Sequence, residues 1–426
     1  MAEALPAMAR AAAVTAVVED PSTVDPHLRA RQAVAGAHDA PDADLDLYHL
    51  GNSPAHGYVY RAALRRPGVA LLHEWSLHHV VLSETVERGD PAAYLRAMRR
   101  AYGETGTFVG RQVARDLGGD VLPALFPLNE AVLERSLAVV ALTEHVRARA
   151  ARAVFPRPVL RLRHHVSLPP DALVSRGQAR RALGLPAEAL VVTAPGLATA
   201  GKRLDRLARV LGRLRARFEP LVLVLAGGAD PRLPLARWAA DAGLEGAWRL
   251  TGRVDLAGFV GHLCAADVVS CLRFPTHGEM SGALVRALGV GRPALVTAGT
   301  PAAQEFPAGV VAPVDPGRYE EAELEGVLGL LLGDPALRAR MENVARAHVA
   351  RAHGLDATVA ELLGFLDAVR RDRATLAARV AEPPEEEGLL AYLLGEARGA
   401  ARGLGLAALP LGVPQRVREC LAGEAP

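Results

Sequence analysis

Short apolar runs alternate with helical patterns along most of this chain, and this alternation occurs in two series. The first series has apolar runs at 46–52, 68–74, 136–143 and 158–162, with helical patterns between them that include 91–101 and 122–133. The second series has apolar runs at 190–195, 221–226, 248–252, 268–274, 294–297 and 310–314. Continuous apolar strands that alternate with helices predict parallel sheets covered on both faces. We therefore expect an α/β protein with two doubly wound, Rossmann-like lobes that face a cleft.

Composition shifts indicate where the lobes begin and end. A proline pair at 169–170 separates the two series, which predicts a first lobe at 1–165 and a second at 166–372. The first 44 residues are rich in Ala, Asp and Pro, with weak periodicity, so the start of the first lobe is atypical. A charged break at 382–387 precedes an amphipathic stretch at 389–404. We expect 373–426 to form a helical tail that returns toward the first lobe.

Charge and cysteine content exclude several classes of protein. The 49 basic and 47 acidic residues leave a net charge of +2, which does not favour a nucleic-acid partner. The three cysteines lack metal-ligand spacing and fit a reducing compartment. No apolar run of about 18 residues is present, and the start of the chain lacks the apolar core of a secretory signal. These features predict a cytoplasmic protein and leave peripheral membrane association open.

Only one of the 49 basic residues is a lysine, Lys202. It follows an apolar run and a small-residue loop, Leu197-Ala198-Thr199-Ala200-Gly201, and it precedes an amphipathic stretch. Backbone N–H groups and the dipole at the start of a helix favour an anion. An ammonium on a flexible stem meets a phosphate differently from a planar guanidinium. The pattern indicates a phosphate site, although an arginine-biased chain can also retain one lysine by chance.

The densest polar signal lies between two apolar runs of the second series. The run that ends at Phe274 leads into a loop with a single carboxylate, Glu279, and a helix is predicted to begin near Ser281. The helix dipole favours an ionised carboxylate at that position, and the neighbouring backbone N–H groups can meet a ligand oxygen. A carboxylate that only caps the helix is the alternative.

Several motifs together resemble those of family 4 retaining glycosyltransferases, which have the GT-B fold. The segment Pro275-Thr276-His277-Gly278-Glu279-Met280-Ser281-Gly282 is similar to the donor-site motif of one subgroup. Three further matches lie in the second lobe, at 196–203, 226–228 and 250–268. Two lie in the first lobe, Leu50-Gly51-Asn52 with His56, and Leu72-His73-Glu74 with Leu77-His78-His79. The resemblance covers about residues 46–370.

The resemblance implies a transferase that takes a sugar from a nucleotide-sugar donor without a metal ion or other cofactor. The acceptor would be a glycan, a lipid-linked molecule or a small molecule. The implied catalytic residues are Glu279 and His73. The implied donor-binding residues are Gly196, Lys202, Arg203, Thr276, Gly278, Met280, Ser281 and Gly282. The implied acceptor-side residues of the cleft are Asn52, His56, Glu74 and His165.

The sequence departs from the family pattern at three places. The second glutamate of the donor motif, which binds the nucleotide ribose in the family, corresponds to Arg286 or Ala287. Leu197 stands where an arginine often follows the glycine of the diphosphate loop, and no glycine-rich loop is recognisable before Asp46. These departures keep a second interpretation open, that of an inactive glycosyltransferase-like subunit. A third, a sugar-nucleotide epimerase, would need acid/base carboxylates, for which Glu74 and Glu279 are the candidates.

Overall fold

The structure is a computed structural model that describes residues 3–115, 117–119, 121–154 and 156–380. Its strands are β1 Thr15–Val18, β2 Ala33–Gly36, β3 Leu47–Leu50, β4 Val69–Leu72, β5 Ala138–Ala141, β6 Val159–Arg161, β7 Leu190–Pro195, β8 Leu221–Ala226, β9 Trp248–Leu250, β10 Val268–Cys271, β11 Ala294–Thr297 and β12 Ala312–Val314. All the strand pairs among them are parallel. The ten apolar runs of the two sequence series each contain one of the strands β3 to β12.

Helices connect and cover these strands. They are α1 Leu5–Met8, α2 Pro26–Arg29, α3 Gly57–Arg65, α4 His78–Glu84, α5 Pro91–Val113, α6 Leu122–Leu125, α7 Glu130–Arg135, α8 Glu144–Ala153, α9 Arg176–Ala182, α10 Leu204–Arg215, α11 Leu235–Asp241, α12 Leu256–Ala265, α13 Gly282–Val290, α14 Pro301–Gln304, α15 Glu320–Gly333, α16 Pro335–Ala352, α17 Leu355–Arg371 and α18 Arg373–Ala377. The helix predicted at 122–133 is broken between α6 and α7. Pro127 lacks an N–H group and disfavours helical backbone at the residue before it, which explains the break.

Two separate sheets organise the molecule into two lobes. The first has the strand order β3-β4-β5-β6, and the second has the order β12-β11-β10-β7-β8-β9. The first 44 residues contribute β1 and β2, which pair with each other in a small third sheet. The expected architecture of two doubly wound α/β lobes is therefore confirmed.

Alternation along the strands places apolar side chains on both faces of each sheet. In β8, Val222 and Val224 face one core cluster, and Leu221, Leu223 and Leu225 face another. Two-sided burial of this kind is what continuous apolar strands require. Each fully buried Val or Leu side chain contributes about 1.5–3 kcal/mol relative to exposure.

The last described helices contact the first residues of the chain. Arg10 pairs with Asp356 of α17, and Arg373 of α18 donates a hydrogen bond to the Asp44 carbonyl. The predicted bounds of the lobes and the return of 373–426 to the first lobe stay predictions. The amphipathic stretch at 389–404, which we expect to pack on the protein, lies outside the described residues.

Candidate functional site

The loop after β10 lies directly against the first lobe. The backbone N–H of Trp75 donates to the His277 carbonyl at 2.6 Å, and the Thr143 hydroxyl donates to the Gly278 carbonyl at 3.1 Å. Gly278 has φ +89°, and a Cβ atom at this position would lie 3.1 Å from the Trp75 side chain. The contact therefore needs glycine. It joins the carboxyl ends of β4, β5 and β10, where open α/β sheets bind ligands.

Glu279 is held by its own loop. Its Oε2 atom accepts hydrogen bonds from the His277 backbone N–H at 2.7 Å and from the Thr276 hydroxyl at 3.1 Å. Its Oε1 atom lies 3.1 Å from Arg273 Nε as an ion pair, and no hydrogen bond to Oε1 forms within the described ranges. Helix α13 is capped by Ser281, whose side chain accepts from the Leu284 N–H. Glu279 thus lies just before the helix and is not its cap.

Lys202 lies beside the same loop, at the end of β7. Its ammonium group donates to the Pro195 carbonyl. The chain around it follows the loop after β10, because the Phe274 N–H donates to the Gly201 carbonyl at 2.8 Å. Burial, together with the positive charge of Arg273, lowers the pKa of Lys202 to about 8. Within the described ranges, Lys202 has no carboxylate at ion-pair distance, so its charge is unbalanced and suits an anion.

Gly196 leaves room for the Lys202 ammonium group beside the Pro195 carbonyl. It has φ +82°, and a Cβ atom here would lie 3.2 Å from Lys202 Nζ. Arg203, which the sequence grouped with Lys202, is differently placed. It pairs with the buried Glu320 through two hydrogen bonds, one of them between Nε and Oε1 at 2.9 Å. The charge of Arg203 is therefore already balanced, and its predicted contact with a donor stays a prediction.

The first-lobe side of the cleft is built around Glu74. Its Oε1 atom accepts from the Asn52 backbone N–H at 3.0 Å, and the Asn52 side chain in turn accepts from the His79 backbone N–H at 2.7 Å. Burial is the main cause that raises the pKa of Glu74 to about 7; the charge of Glu279 acts in the same direction, and the Asn52 hydrogen bond and the charge of Arg273 oppose it. Glu74 and Glu279 come from different lobes, and the charge of Glu279 acts on Glu74 across the seam, which is the contact between the two lobes.

A cluster of buried imidazoles stands beside Glu74. Nε2 of His73 lies 3.4 Å from Nδ1 of His49, and the rings of His73 and His56 have centroids 5.9 Å apart. Burial is the main cause that lowers the pKa of His73 to about 4 and that of His49 to about 3. These imidazoles are therefore neutral near pH 7 and can exchange hydrogen bonds without adding charge to the cleft.

A third group of polar residues lies at the first turns of α13. One of its members, Glu3, was not predicted from the sequence. Glu3 pairs with Arg286 of α13, and its second oxygen lies 3.8 Å from His165 Nε2. A Cβ atom on Gly282 would lie 3.1 Å from His164 Nε2. Glu3 carried no sequence signal, because it lies in an alanine-rich segment far from the motifs. Its carboxylate balances the charge of Arg286, one of the two residues that correspond to the second glutamate of the donor motif.

Glu305 joins the two lobes on the other side of the seam. It lies just after α14 in the second lobe, accepts from the Glu144 backbone N–H at the start of α8 at 2.5 Å, and pairs with Arg161 of β6. The Glu305 side chain is only 5% exposed. A cavity of about 410 Å³ borders these residues. The sequence offered no reason to single out Glu305, since its partners are more than 140 positions away.

Within residues 3–115, 117–119, 121–154 and 156–380, no group of three or more His, Cys, Asp or Glu side chains is arranged to hold a metal ion. Over the same ranges, none of the helices combines the length and apolar character that are needed to cross a membrane.

The arrangement of the two lobes is similar to that of solved glycosyltransferases. Sucrose-phosphate synthase from Thermosynechococcus elongatus matches with a TM-score of 0.60 at 16% identity, over 86% of this chain and 92% of that one. HepE from Anabaena, in complex with UDP and glucose, matches with a TM-score of 0.59 at 16% identity, over 86% and 95%. WaaG, a glycosyltransferase involved in lipopolysaccharide biosynthesis, matches with a TM-score of 0.56 at 16% identity, over 85% and 94%.

Comparisons of the sequence with protein families and curated proteins find no match. No protein-family model matches the chain, and no curated protein is significantly similar to it. At 16% identity the structural likeness establishes the fold alone. The protein has the GT-B arrangement of two Rossmann-like lobes.

Proposed function

We propose that the protein is a glycosyltransferase that moves a sugar from a nucleotide-sugar donor to an acceptor hydroxyl. The observation that carries this proposal is the position of Lys202. It is a mostly buried cation without a carboxylate partner in the described part of the chain, and it lies beside the loop that holds Glu279. A diphosphate bound there would supply the missing negative charge. The GT-B likeness to HepE, which was solved with UDP and glucose, supports the same donor class.

We propose different roles in the transfer for the residues at the contact between the two lobes. Lys202 would supply the positive charge that stabilises the departing diphosphate, the principal electrostatic task of such a reaction. This supply of charge is why we propose a metal-independent transfer. Glu279 and the backbone of Gly278 to Gly282 would contact hydroxyl groups of the donor sugar. We propose retention at the anomeric carbon on the basis of the motif resemblance at 275–282.

The acceptor side is the wall formed by Asn52, His56, His73 and Glu74. Neutral imidazoles and a buried carboxyl group suit hydroxyl groups, which both donate and accept hydrogen bonds. A glycan, a lipid-linked molecule or a small molecule would satisfy this chemistry.

A second candidate is a non-catalytic subunit that binds a nucleotide sugar or a partner enzyme. Two observations favour it: Arg203 is occupied by Glu320, and Arg286 replaces a carboxylate in the donor motif. The third candidate, an epimerase, is favoured by the two carboxyl groups of Glu74 and Glu279 on opposite sides of the seam.

One experiment separates these candidates. The protein is titrated with UDP, GDP and ADP by calorimetry and is then incubated with UDP-glucose, UDP-N-acetylglucosamine and GDP-mannose. Release of free nucleoside diphosphate supports a transferase, and formation of an epimeric nucleotide sugar supports an epimerase. Binding without turnover supports the non-catalytic subunit. If none of the nucleotides binds, the proposed donor site is wrong.

A further inference from the structure

A cavity of about 460 Å³ lies at the edge of the second sheet that is opposite the donor loop. Its wall includes Arg292, which lies just before β11, and Cys264, which lies shortly before β10. These residues precede the amino ends of two parallel strands, whereas the loop of Glu279 follows the carboxyl end of β10. The cavity is therefore separate from the proposed donor site, and its volume is typical of sites that bind small molecules.

Positive charge exceeds negative charge in the wall of this cavity. Arg176 and Arg292 share one carboxylate, Glu342, at 2.5 and 3.2 Å. The third arginine of the wall, Arg346, is exposed, and it has no carboxylate at ion-pair distance in the described part of the chain. Three guanidinium groups and one carboxylate thus line the cavity, which leaves an excess of two positive charges.

The residues behind the wall do not remove this excess. The carboxylate of Asp267 pairs with the buried Arg180 at 2.5 Å and lies 3.6 Å from Nε of Arg176. That Nε is buried and makes no hydrogen bond within the described ranges. Burial and the charge of Arg176 lower the pKa of Arg292, against the charge of Glu342. A bound anion would reduce the repulsion between these arginines and would offer an acceptor for their spare N–H groups.

The cavity also has an apolar part. Leu173 and Val174 belong to its wall, yet they are 48% and 37% exposed. Both lie in the stretch between β6 and β7, which connects the first sheet to the second. An inorganic anion would leave these side chains in water, whereas an apolar substituent on the anion would cover them.

We propose that this cavity binds a phosphate monoester that carries an apolar substituent. Arg346 and Arg176 would contact the phosphate oxygens, because the planar fork of a guanidinium group matches phosphate geometry. Leu173 and Val174 would pack against the substituent. A soluble phosphate monoester and the headgroup of phosphatidic acid share this chemistry. The site does not depend on the proposed transferase function.

The binding test titrates the protein with phenyl phosphate by calorimetry, with excess UDP present to occupy the proposed donor site. Phenyl phosphate should bind more tightly than inorganic phosphate, and Leu173→Ser should reduce that difference. Arg346→Ala should weaken the Kd for phenyl phosphate about ten-fold or more, because it removes a charge-assisted contact. The control is Arg340→Ala, which removes an exposed cation of the same helix outside the cavity and should bind as the wild type does.

Two further measurements locate the site and identify the source of the phosphate. Phenyl phosphate should protect residues 173–176 and 289–292 from hydrogen–deuterium exchange. Sedimentation with phosphatidylcholine vesicles that contain phosphatidic acid, lost in Arg346→Ala, would assign the lipid headgroup; phenyl phosphate binding without sedimentation would assign a soluble monoester. Protection confined to 196–203, equal binding by Arg346→Ala and the wild type, or a wild type that binds neither probe would overturn the proposal.

Discussion

Glu3 and Arg286 are 283 positions apart in the sequence, yet Oε1 of Glu3 lies 2.5 Å from a guanidinium nitrogen of Arg286. The pair joins the segment before α1 to a helix of the second lobe, and both side chains are about one-fifth exposed. A carboxylate from the start of the chain thus reaches the helix that follows the donor loop.

Removal of one member of this pair should destabilise the protein. In Glu3→Gln the Arg286 charge remains partly buried without its partner, so we expect a loss of about 1.5–3 kcal/mol in the free energy of unfolding, measured with urea. The double variant Glu3→Gln/Arg286→Gln should lose less than the sum of the two single variants. Asp356→Asn is the control, because the Arg10–Asp356 pair is exposed and should contribute no more than about 1 kcal/mol. Additive single-variant losses would show that the pair does not couple.

Lys202→Ala should weaken the binding of UDP. Loss of a charge-assisted contact to phosphate costs about 1.5–3 kcal/mol, which corresponds to a roughly ten- to hundred-fold weaker Kd. The control is Arg237→Ala, which removes an exposed cation of the same lobe. Calorimetry that gives equal affinities for Lys202→Ala and the wild type would remove the basis for the phosphate site.

The pKa of Lys202 predicts a pH dependence of the same binding. Because burial lowers this pKa to about 8 in the free protein, the ammonium is charged below that pH and loses its proton as pH rises through it. A diphosphate favours the charged form, so wild-type affinity for UDP should decrease above about pH 8. Lys202→Arg keeps its charge throughout this range, and its affinity should therefore be flat between about pH 7 and 9. A parallel decrease in both proteins would point to a different titrating group.

Glu279→Gln should reduce turnover strongly while UDP affinity and the melting temperature remain close to those of the wild type. The carboxylate lies at the seam beside Arg273, whereas Ser281 caps helix α13, so the variant leaves the cap intact. Glu245→Gln, at an exposed position of the second lobe, is the matched control. Thermal melts are recorded beside the donor-turnover assay. Unchanged turnover with a lower melting temperature would assign Glu279 a structural role only.

Glu305→Gln should loosen the contact between the lobes. The Glu305 carboxylate is buried, accepts from the first N–H of α8 and pairs with Arg161, so its neutralisation leaves the Arg161 charge without a partner. We expect a lower melting temperature and a larger radius of gyration by small-angle scattering. Asp367→Asn, which alters an exposed carboxylate of α17, should change neither quantity. If Glu305→Gln changes neither the radius of gyration nor the melting temperature, other contacts hold the two lobes together.

Most of the strand framework could be predicted from the sequence because it depends on local patterning. The runs at 190–195, 221–226 and 294–297 coincide with β7, β8 and β11. Thr143 caps α8, because its side chain accepts from the Val146 N–H. Hydrophobic periodicity and helix capping involve residues that are close in sequence, so both can be recognised in the sequence itself. The parallel pair β1 and β2 was missed, since the periodicity of the first 44 residues is weak.

The partners of the site residues were decided by the tertiary structure. The sequence by itself determined that Lys202 and Glu279 follow strands of the same sheet, which brings them to one edge. Only the fold decided that Arg203 pairs with Glu320, that Arg286 pairs with Glu3, and that Trp75 contacts the loop of Glu279. Such pairs depend on how distant segments pack, and a charged side chain that burial deprives of water takes whichever partner the packing provides. Motif spacing carries no information about that choice.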